Sequence, residues 1–463
     1  MNQSHAVLLG LTLVAIIGLI VLVAQFKVHA FTGLILASLF VAICAMHPII
    51  RNSLPQALRN SSRPLLDIAE AFQSGVGNTL ALVAVVVGLG TMLGKMLAES
   101  GGAEVIATRF IRIFGANRLP WALLLVAFVV GLPVFFAVGL VLLVPILFTL
   151  ARETRLPLVY LGIPLVAGLS ASHSLVPPHP GPTLAVGKLE ADMGKTIFYS
   201  ILAGLPAAIL AGPIFTGFFG RRFPVEIGGL GAQLALPSAQ KRRPVFGIAL
   251  LTILFPVLLM LLATLADLTL DQKDPLRIWA DFLGTPLVAM LAAVVLALFT
   301  FGYACGFDRS QILKFTEDCL GPAASIMLIV GAGGGFSKVL QVVGAADAIS
   351  AAVKTIGVPP MIFGWLVAAA IRVATGSATV SITLAAGIVA PVVAATPAIN
   401  RELLVVAMGA GSMVLSHVND GGFWFVKEYL NMTVAQTLKT WTVLVTIISV
   451  TALVLVLLLD LIM

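Results

Sequence analysis

The sequence predicts an all-α polytopic membrane protein made of two inverted-topology repeats, with re-entrant hairpins and broken helices in each. Three observations carry that expectation. First, the 463-residue chain is 60% hydrophobic and only 10% charged, with a mean hydropathy of +1.10; ordinary soluble domains carry roughly 25% charged residues. Second, its apolar runs recur at about the 20 residues that a helix needs to cross a bilayer. They do not alternate polar and apolar, which excludes a transmembrane β-barrel. Third, several runs are broken in the middle by proline, glycine and polar residues, most clearly at Ser170–Thr183 (S-A-S-H-S-L-V-P-P-H-P-G-P-T). Irregular backbone at membrane depth is tolerated only where protein buries it or it lines a watery cavity.

In chain order, the predicted spans of the first half are Ala6–Phe26, Val28–Met46, Thr79–Leu97, Trp121–Leu150, Leu158–Ala185 and Thr196–Phe219. The first is too long and too poorly flanked for a cleaved signal peptide. The second half offers Phe246–Leu265, Leu287–Tyr303, Pro322–Leu340, Met361–Pro391, Leu403–Phe425 and Trp441–Leu459. Trp121–Leu150 carries Gly131-Leu132-Pro133 at its centre and Met361–Pro391 carries Thr375-Gly376-Ser377, so both read as re-entrant hairpins. Cys44, Cys305 and Cys319 show neither disulfide nor metal spacing.

Between the halves lies the one basic, glycine-rich linker, with Arg221, Arg222, Lys241, Arg242 and Arg243. Such positive charge places it in the cytoplasm. Loop arginines of this kind explain the net charge of +7 without nucleic-acid binding. The predicted division is 1–220, a first transmembrane repeat; 221–244, a cytoplasmic linker; and 245–463, a second repeat. Gly88, Gly90 and Lys95 in V-x-G-x-G-x-x-x-x-K match Gly331, Gly333 and Lys338. Gly101, Glu104 and Ile106 then match Gly344, Asp347 and Ile349; Pro145 matches Pro391, Ser172-His173 matches Ser416-His417, and Lys188…Met193 matches Lys427…Met432. Arg109, Arg112 and Arg118 against a lone Lys354, with the acidic segment Asp267–Asp281, orient the two repeats oppositely, as in many secondary transporters. Arg51, Arg59 and Arg63 run against that orientation unless an interfacial amphipathic helix holds them among head groups.

The chemistry concentrates at four breaks: Gly131–Phe136, His173–Thr183, Arg372–Thr379 (R-V-A-T-G-S-A-T) and Ser416–Lys427 (S-H-V-N-D-G-G-F-W-F-V-K). Inverted repeats would bring all four together near the midplane. Helix N-termini there would offer free N–H groups and positive dipole ends to an anion. Ser377, Thr379 and Asn419 can hydrogen-bond hydroxyls or a carboxylate, and Gly376, Ser377, Ala378, Gly421 and Gly422 permit close approach. His173, His179 and His417 read either as proton or substrate groups or as histidines that satisfy buried carbonyls; their spacing is not that of a zinc motif. Asp420 is a functional acid or an N-cap, and Arg372 an anion partner or an architectural brace. Lys95, Lys338 and Lys427, near span ends, read as snorkelling. Gly333-Gly334-Gly335 reads as close helix packing.

P-P-H-P-G-P at Pro177–Pro182, G-S-A-T-V at Gly376–Val380 and S-H-V-N-D-G-G-F-W at Ser416–Trp424 resemble the gluconate permease family of bacterial proton symporters. The resemblance runs over nearly the whole chain, including Ala191-Asp192-Met193-Gly194 and Leu438-Lys439-Thr440-Trp441. It implies a multi-pass carrier of the bacterial inner membrane that imports gluconate or a related hydroxy- or amino-acid anion with protons. It further implies a homodimer with an elevator-like mechanism and no cofactor. The substrate residues expected on this basis are Phe135, Ser172, His173, His179, Gly181, Thr183, Arg372, Gly376, Ser377, Thr379, His417 and Asn419. One departure bears on coupling. The family pattern F-F-[DE]-V-G reads Phe135-Phe136-Ala137-Val138-Gly139 here, and alanine cannot titrate. Either the acid has been engineered away, or coupling runs through Asp420 or a histidine such as His173, or the carrier is an uncoupled facilitator. A membrane-embedded enzyme using His173, His179 and Asp420 is the alternative from another class. No ring of like residues marks a channel.

Overall fold

Prolines and short polar side chains decide where the helices of this chain begin. Proline needs no N–H partner in a first helical turn, and it opens or nearly opens the helices at Pro64, Pro120, Pro180, Pro275, Pro286 and Pro360. Elsewhere a side chain caps the free N–H groups: Asp192 accepts from Lys195 N at 2.6 Å and Asn400 from Leu403 N at 3.0 Å. The structure is a computed structural model that describes residues 3–26, 28–51, 54–115, 118–219, 242–345, 348, 357–396, 398–417 and 420–462; among these there is no strand.

Helices of nine residues or more are numbered in order. The first half holds α1 (Gln3–Ala24), α2 (Ala30–Ala45), α3 (Pro64–Glu99), α4 (Gly102–Phe114), α5 (Leu119–Gly131), α6 (Phe136–Thr154), α7 (Leu158–Leu175), α8 (Pro180–Leu189) and α9 (Met193–Ile209). The second holds α10 (Phe246–Thr269), α11 (Pro275–Gly284), α12 (Pro286–Ala297), α13 (Arg309–Asp318), α14 (Leu320–Val342), α15 (Pro360–Thr375), α16 (Ala378–Ala394), α17 (Arg401–Gly411), α18 (Gly421–Tyr429) and α19 (Val443–Ile462). Helix–break–helix units thus occur in the same order in each half, α5–α6 and α7–α8, then α15–α16 and α17–α18. Most of the linker, residues 220–241, lies outside the described residues, as do Asp347, Ile349 and Lys354.

Among the described residues, seven helices are long and apolar enough to cross a membrane, and six shorter apolar helices accompany them. The 13 residues of α5, the 10 of α8 and the 9 of α18 rise only about 14–20 Å. That is well short of a hydrocarbon core of about 30 Å, so their broken ends stop within such a thickness. Two expectations change. The span expected at Thr79–Leu97 is the C-terminal part of the 36-residue α3. The single amphipathic helix that would reconcile Arg51, Arg59 and Arg63 with the orientation is not formed; they lie on two single turns, Pro48–Arg51 and Gln56–Arg59, and at the N-cap of α3. Pro48, Pro55 and Pro64 restart the chain too often for one continuous helix.

Glycines let the helices that frame the breaks approach closely. A Cβ at Gly75 of α3 would lie 2.9 Å from Gly335 Cα of α14, and one at Gly168 of α7 would lie 2.9 Å from Phe128 N of α5. The Gly333-Gly334-Gly335 run therefore serves helix packing. One large apolar core joins α3 to α9 with α10, α12 and the helices from α15 onward, and a second gathers α1, α2, α14 and α16.

Candidate functional site

The first break leaves α5 at Gly131 and enters α6 at Phe136, whose N-cap, Phe135, offers no side-chain acceptor. The N–H groups of the first turn of α6 are therefore not capped by that side chain. The second break is shorter than the proline count suggests. Unwinding was expected over His173–Thr183, but α7 continues to Leu175 and α8 starts at Pro180. Only Val176–His179 is irregular, with a cis Pro177–Pro178 bond. Pro180 and Pro182 fall in the first turn of α8, where backbone N–H groups lack intrahelical partners anyway. His179 closes this break onto the first one, its Nε2–H donating to Gly131 O at 2.6 Å.

The third break is Gly376-Ser377. Gly376 adopts a left-handed conformation (φ +70°), which ends α15 without the Cβ clash another residue would suffer. Ser377 then caps α16, its Oγ accepting from Val380 N at 3.3 Å. The fourth break follows α17 and ends at Asp420, which caps α18 through Gly422 N at 2.8 Å. The other oxygen of Asp420 accepts from Ser416 Oγ and from the Arg372 guanidinium. Trp441 Nε1 donates to Ser416 Oγ at 2.7 Å, and Arg372 Nη1 to Gly376 O at 2.7 Å. A buried ion pair thus ties the third break to the fourth. Asp420 is both an N-cap and a charge partner, and Arg372 is at least a brace.

A cavity of about 600 Å³ lies where these breaks meet. Of the expected residues it is lined by Phe135, Ala137, His173, Arg372, Gly376, Ser377, Thr379 and Asp420. Others are not brought to its wall. Ser172 points back into α7, donating to Gly168 O and Leu169 O at 3.1 Å, because the helical repeat turns Ser170, His173 and Ser174 toward the cavity and Ser172 away. His179 stands behind His173, ring centroids 4.7 Å apart, and satisfies a carbonyl. Gly181 packs against Ile382, Thr183 is buried in α8, and His417 holds the Leu415 carbonyl at 3.0 Å away from the wall. Asn419 lies outside the described residues.

Sequence reading missed Thr91, Lys95, Asp318, Cys319 and Trp441, all of which line the cavity. Lys95, read as snorkelling, pairs with Glu99 at 2.7 Å. Its signal was present: Gly90, Thr91, Gly94 and Lys95 make one small, polar face at helical spacing.

Arg372 is 5% exposed and Asp420 7%, whereas Asp318 is exposed, so the cavity has a buried charged pole and an open rim. Two polar atoms around it, Arg372 Nε and His173 Nδ1, are buried without a hydrogen-bond partner among the described residues. No group of three or more metal-ligating side chains exists among the described residues. The first turns of α6, α16 and α18 also reach the wall. A guanidinium beside three helix N-termini is an environment for an anion.

Residues 7–462 match the GntP family permease profile. The chain is 48% identical, over the full length of both, to a protein of Pseudomonas aeruginosa named gluconate permease. It is 44% identical over 98% of each chain to a gluconate permease of Zymomonas mobilis, and 39% identical to the Gnt-II system L-idonate transporter of Escherichia coli, over 93% and 94%. Its fold is shared with the Alcanivorax borkumensis YdaH transporter at a TM-score of 0.64 and 18% identity, covering 93% of this chain and 97% of that one. The relatives are permeases and transporters, not enzymes. On its apolar helices and this full-length match, the chain belongs to the GntP permease family, as a multi-pass protein of the inner membrane.

Proposed function

We propose that the chain imports gluconate, or a related sugar-acid anion, together with protons, and that the cavity between the broken helices is its substrate site. The observation that carries this reading is Arg372, a buried guanidinium in the cavity wall whose Nε–H has no acceptor among the described residues. Guanidinium recognises carboxylate through two parallel N–H bonds, and the N-termini of α6, α16 and α18 add to the attraction. Ser170, His173, Ser174, Ser377 and Thr379 supply partners for sugar hydroxyls. A volume of about 600 Å³ suits a small ligand, whose pockets run from about 300 to 1,000 Å³. Gluconate and L-idonate, the substrates in the relatives' names, are both polyhydroxylated carboxylates. The same reading includes a homodimer and an elevator-like movement of the site.

Position 137 bears on the coupling. Ala137 sits in the first turn of α6 and lines the cavity. It cannot carry a proton, so coupling falls to Asp420 or His173, both in the same wall. Uncoupled facilitation is the second reading, and Ala137 is the residue that favours it. The test is gluconate uptake into proteoliposomes with and without an inward proton gradient, alongside Ala137→Asp. The unaltered chain is expected to concentrate gluconate. Accumulation by the Asp variant alone would make this chain a facilitator, and uptake by neither would remove gluconate as the substrate.

A further inference from the structure

The Arg372 guanidinium is half-used. Its Nε and Nη2 edge presents two parallel N–H groups of the kind that grip a carboxylate. Asp420 engages Nη2 through one oxygen, while Nε is buried and without a partner among the described residues. The other oxygen of Asp420 is already taken by Gly422 N, and Ser416 Oγ also donates to the carboxylate. With that oxygen turned to the first turn of α18, Asp420 leaves the Nε side of the fork open. A substrate carboxylate entering the cavity would find one free N–H beside another that Asp420 occupies.

We infer that Arg372 is shared between two carboxylates in turn, and that a proton taken up by Asp420 hands it from the aspartate to the substrate. This rests on the substrate reading above. The exchange balances: a solvent proton adds to the Asp420 carboxylate, the Arg372–Asp420 ion pair opens, and an Arg372–substrate ion pair forms. The site holds one positive and one negative charge before the exchange and the same charges after it. Without the proton, two carboxylates would face one guanidinium in a buried pole, where like charges at short range disfavour joint ionisation. The neutral acid still accepts from Gly422 N, so α18 keeps its cap. One proton therefore accompanies one anion, and the missing acid at position 137 is not needed.

The titratable and charged groups around Asp420 leave Arg372 as its partner. Across the same cavity stand His173 on α7, Lys95 on α3, and Asp318 with Cys319 at the end of α13. Lys95 is engaged by Glu99 at 2.7 Å. On the aspartate's own side, His417 is held at Leu415 O, and Lys427 pairs with Glu428 at 2.7 Å.

The experiment uses the purified full chain in proteoliposomes with radiolabelled gluconate. Counterflow without any gradient reads the substrate assignment alone. Where counterflow occurs, the exchange predicts one proton per gluconate, uptake that ignores an imposed membrane potential, and an apparent Kd that falls about tenfold per unit drop in pH while the acid is mostly ionised. These readings need no variant. Asp420→Asn should bind gluconate without that pH dependence and fail to accumulate it under a proton gradient. His173→Gln should keep the pH dependence even where its affinity falls. Accumulation by Asp420→Asn, or potential-driven uptake by the unaltered chain, would overturn the exchange while leaving the substrate assignment standing. Absence of counterflow would overturn both.

Discussion

The two halves of this molecule break their helices in the same order but hold the breaks by different means. In the first half, the α5–α6 and α7–α8 breaks are joined by a neutral contact, His179 Nε2 to Gly131 O at 2.6 Å, behind a wall of Pro133, Phe135 and Phe136. In the second, the α15–α16 and α17–α18 breaks are joined by a charge pair, Arg372 to Asp420, and each following helix has a side-chain cap. Helix α6 has no such cap. The first half thus gives the cavity its apolar shape, neutral polar groups and Lys95 toward the rim, and the second its buried charge pair. A neutral contact stabilises without binding an ion, whereas a buried guanidinium can bind a substrate and cannot be left alone.

The largest test of that contrast is Arg372→Ala. It strands the Asp420 carboxylate in a buried site, which should cost about 3–5 kcal/mol and abolish gluconate binding. Thermal melting in detergent and equilibrium binding read the two effects. A melting change no larger than that of a surface substitution would mean the ion pair does not hold the second-half breaks together. His179→Ala comes next. It orphans the Gly131 carbonyl at an expected cost of about 1–3 kcal/mol, while gluconate affinity per folded molecule changes little because His179 stands behind the wall. Loss of affinity at full stability would reverse the assignment and make His179 a substrate residue. The smallest stability effect is expected from Ser377→Ala, which removes one cap at about 1 kcal/mol. Because Ser377 also faces the cavity, its effect should appear in gluconate affinity as well as in melting, and a change in melting alone would confine it to capping.

How far the site was legible varies residue by residue. Gly376 and Ser377 could be read directly, since a glycine followed by a capping residue inside an apolar run ends one helix and starts another. The proline cluster was harder. Pro177, Pro178, Pro180 and Pro182 suggested a long unwound segment, but a proline in the first turn of a helix is as regular as any residue, so α8 begins at Pro180. Ser172 and His173 are adjacent in sequence and were expected in one role. On a helix, neighbours point about 100° apart, and only His173 reaches the cavity. Lys95 lies near the end of a long helix, where snorkelling is the ordinary reading; only the approach of the first break, Pro133 and Val134, to Gly90 and Gly94 places its face in the cavity wall.

Composition alone determined that this chain is helical and lies in a membrane, because so few charges and such long apolar runs have no other stable solvent. Proline, glycine and capping residues determined that its helices break, and roughly where. What only the tertiary structure decided is which broken ends meet. Arg372 and Asp420 are 48 residues apart, and neither carries any sign of the other. Their pairing follows from the packing of α15 against α17 and from the return of the chain at α18, which leave a guanidinium and a carboxylate in one dry pole. Local propensity acts over a few residues, and burial of a charge acts only once distant segments have come together.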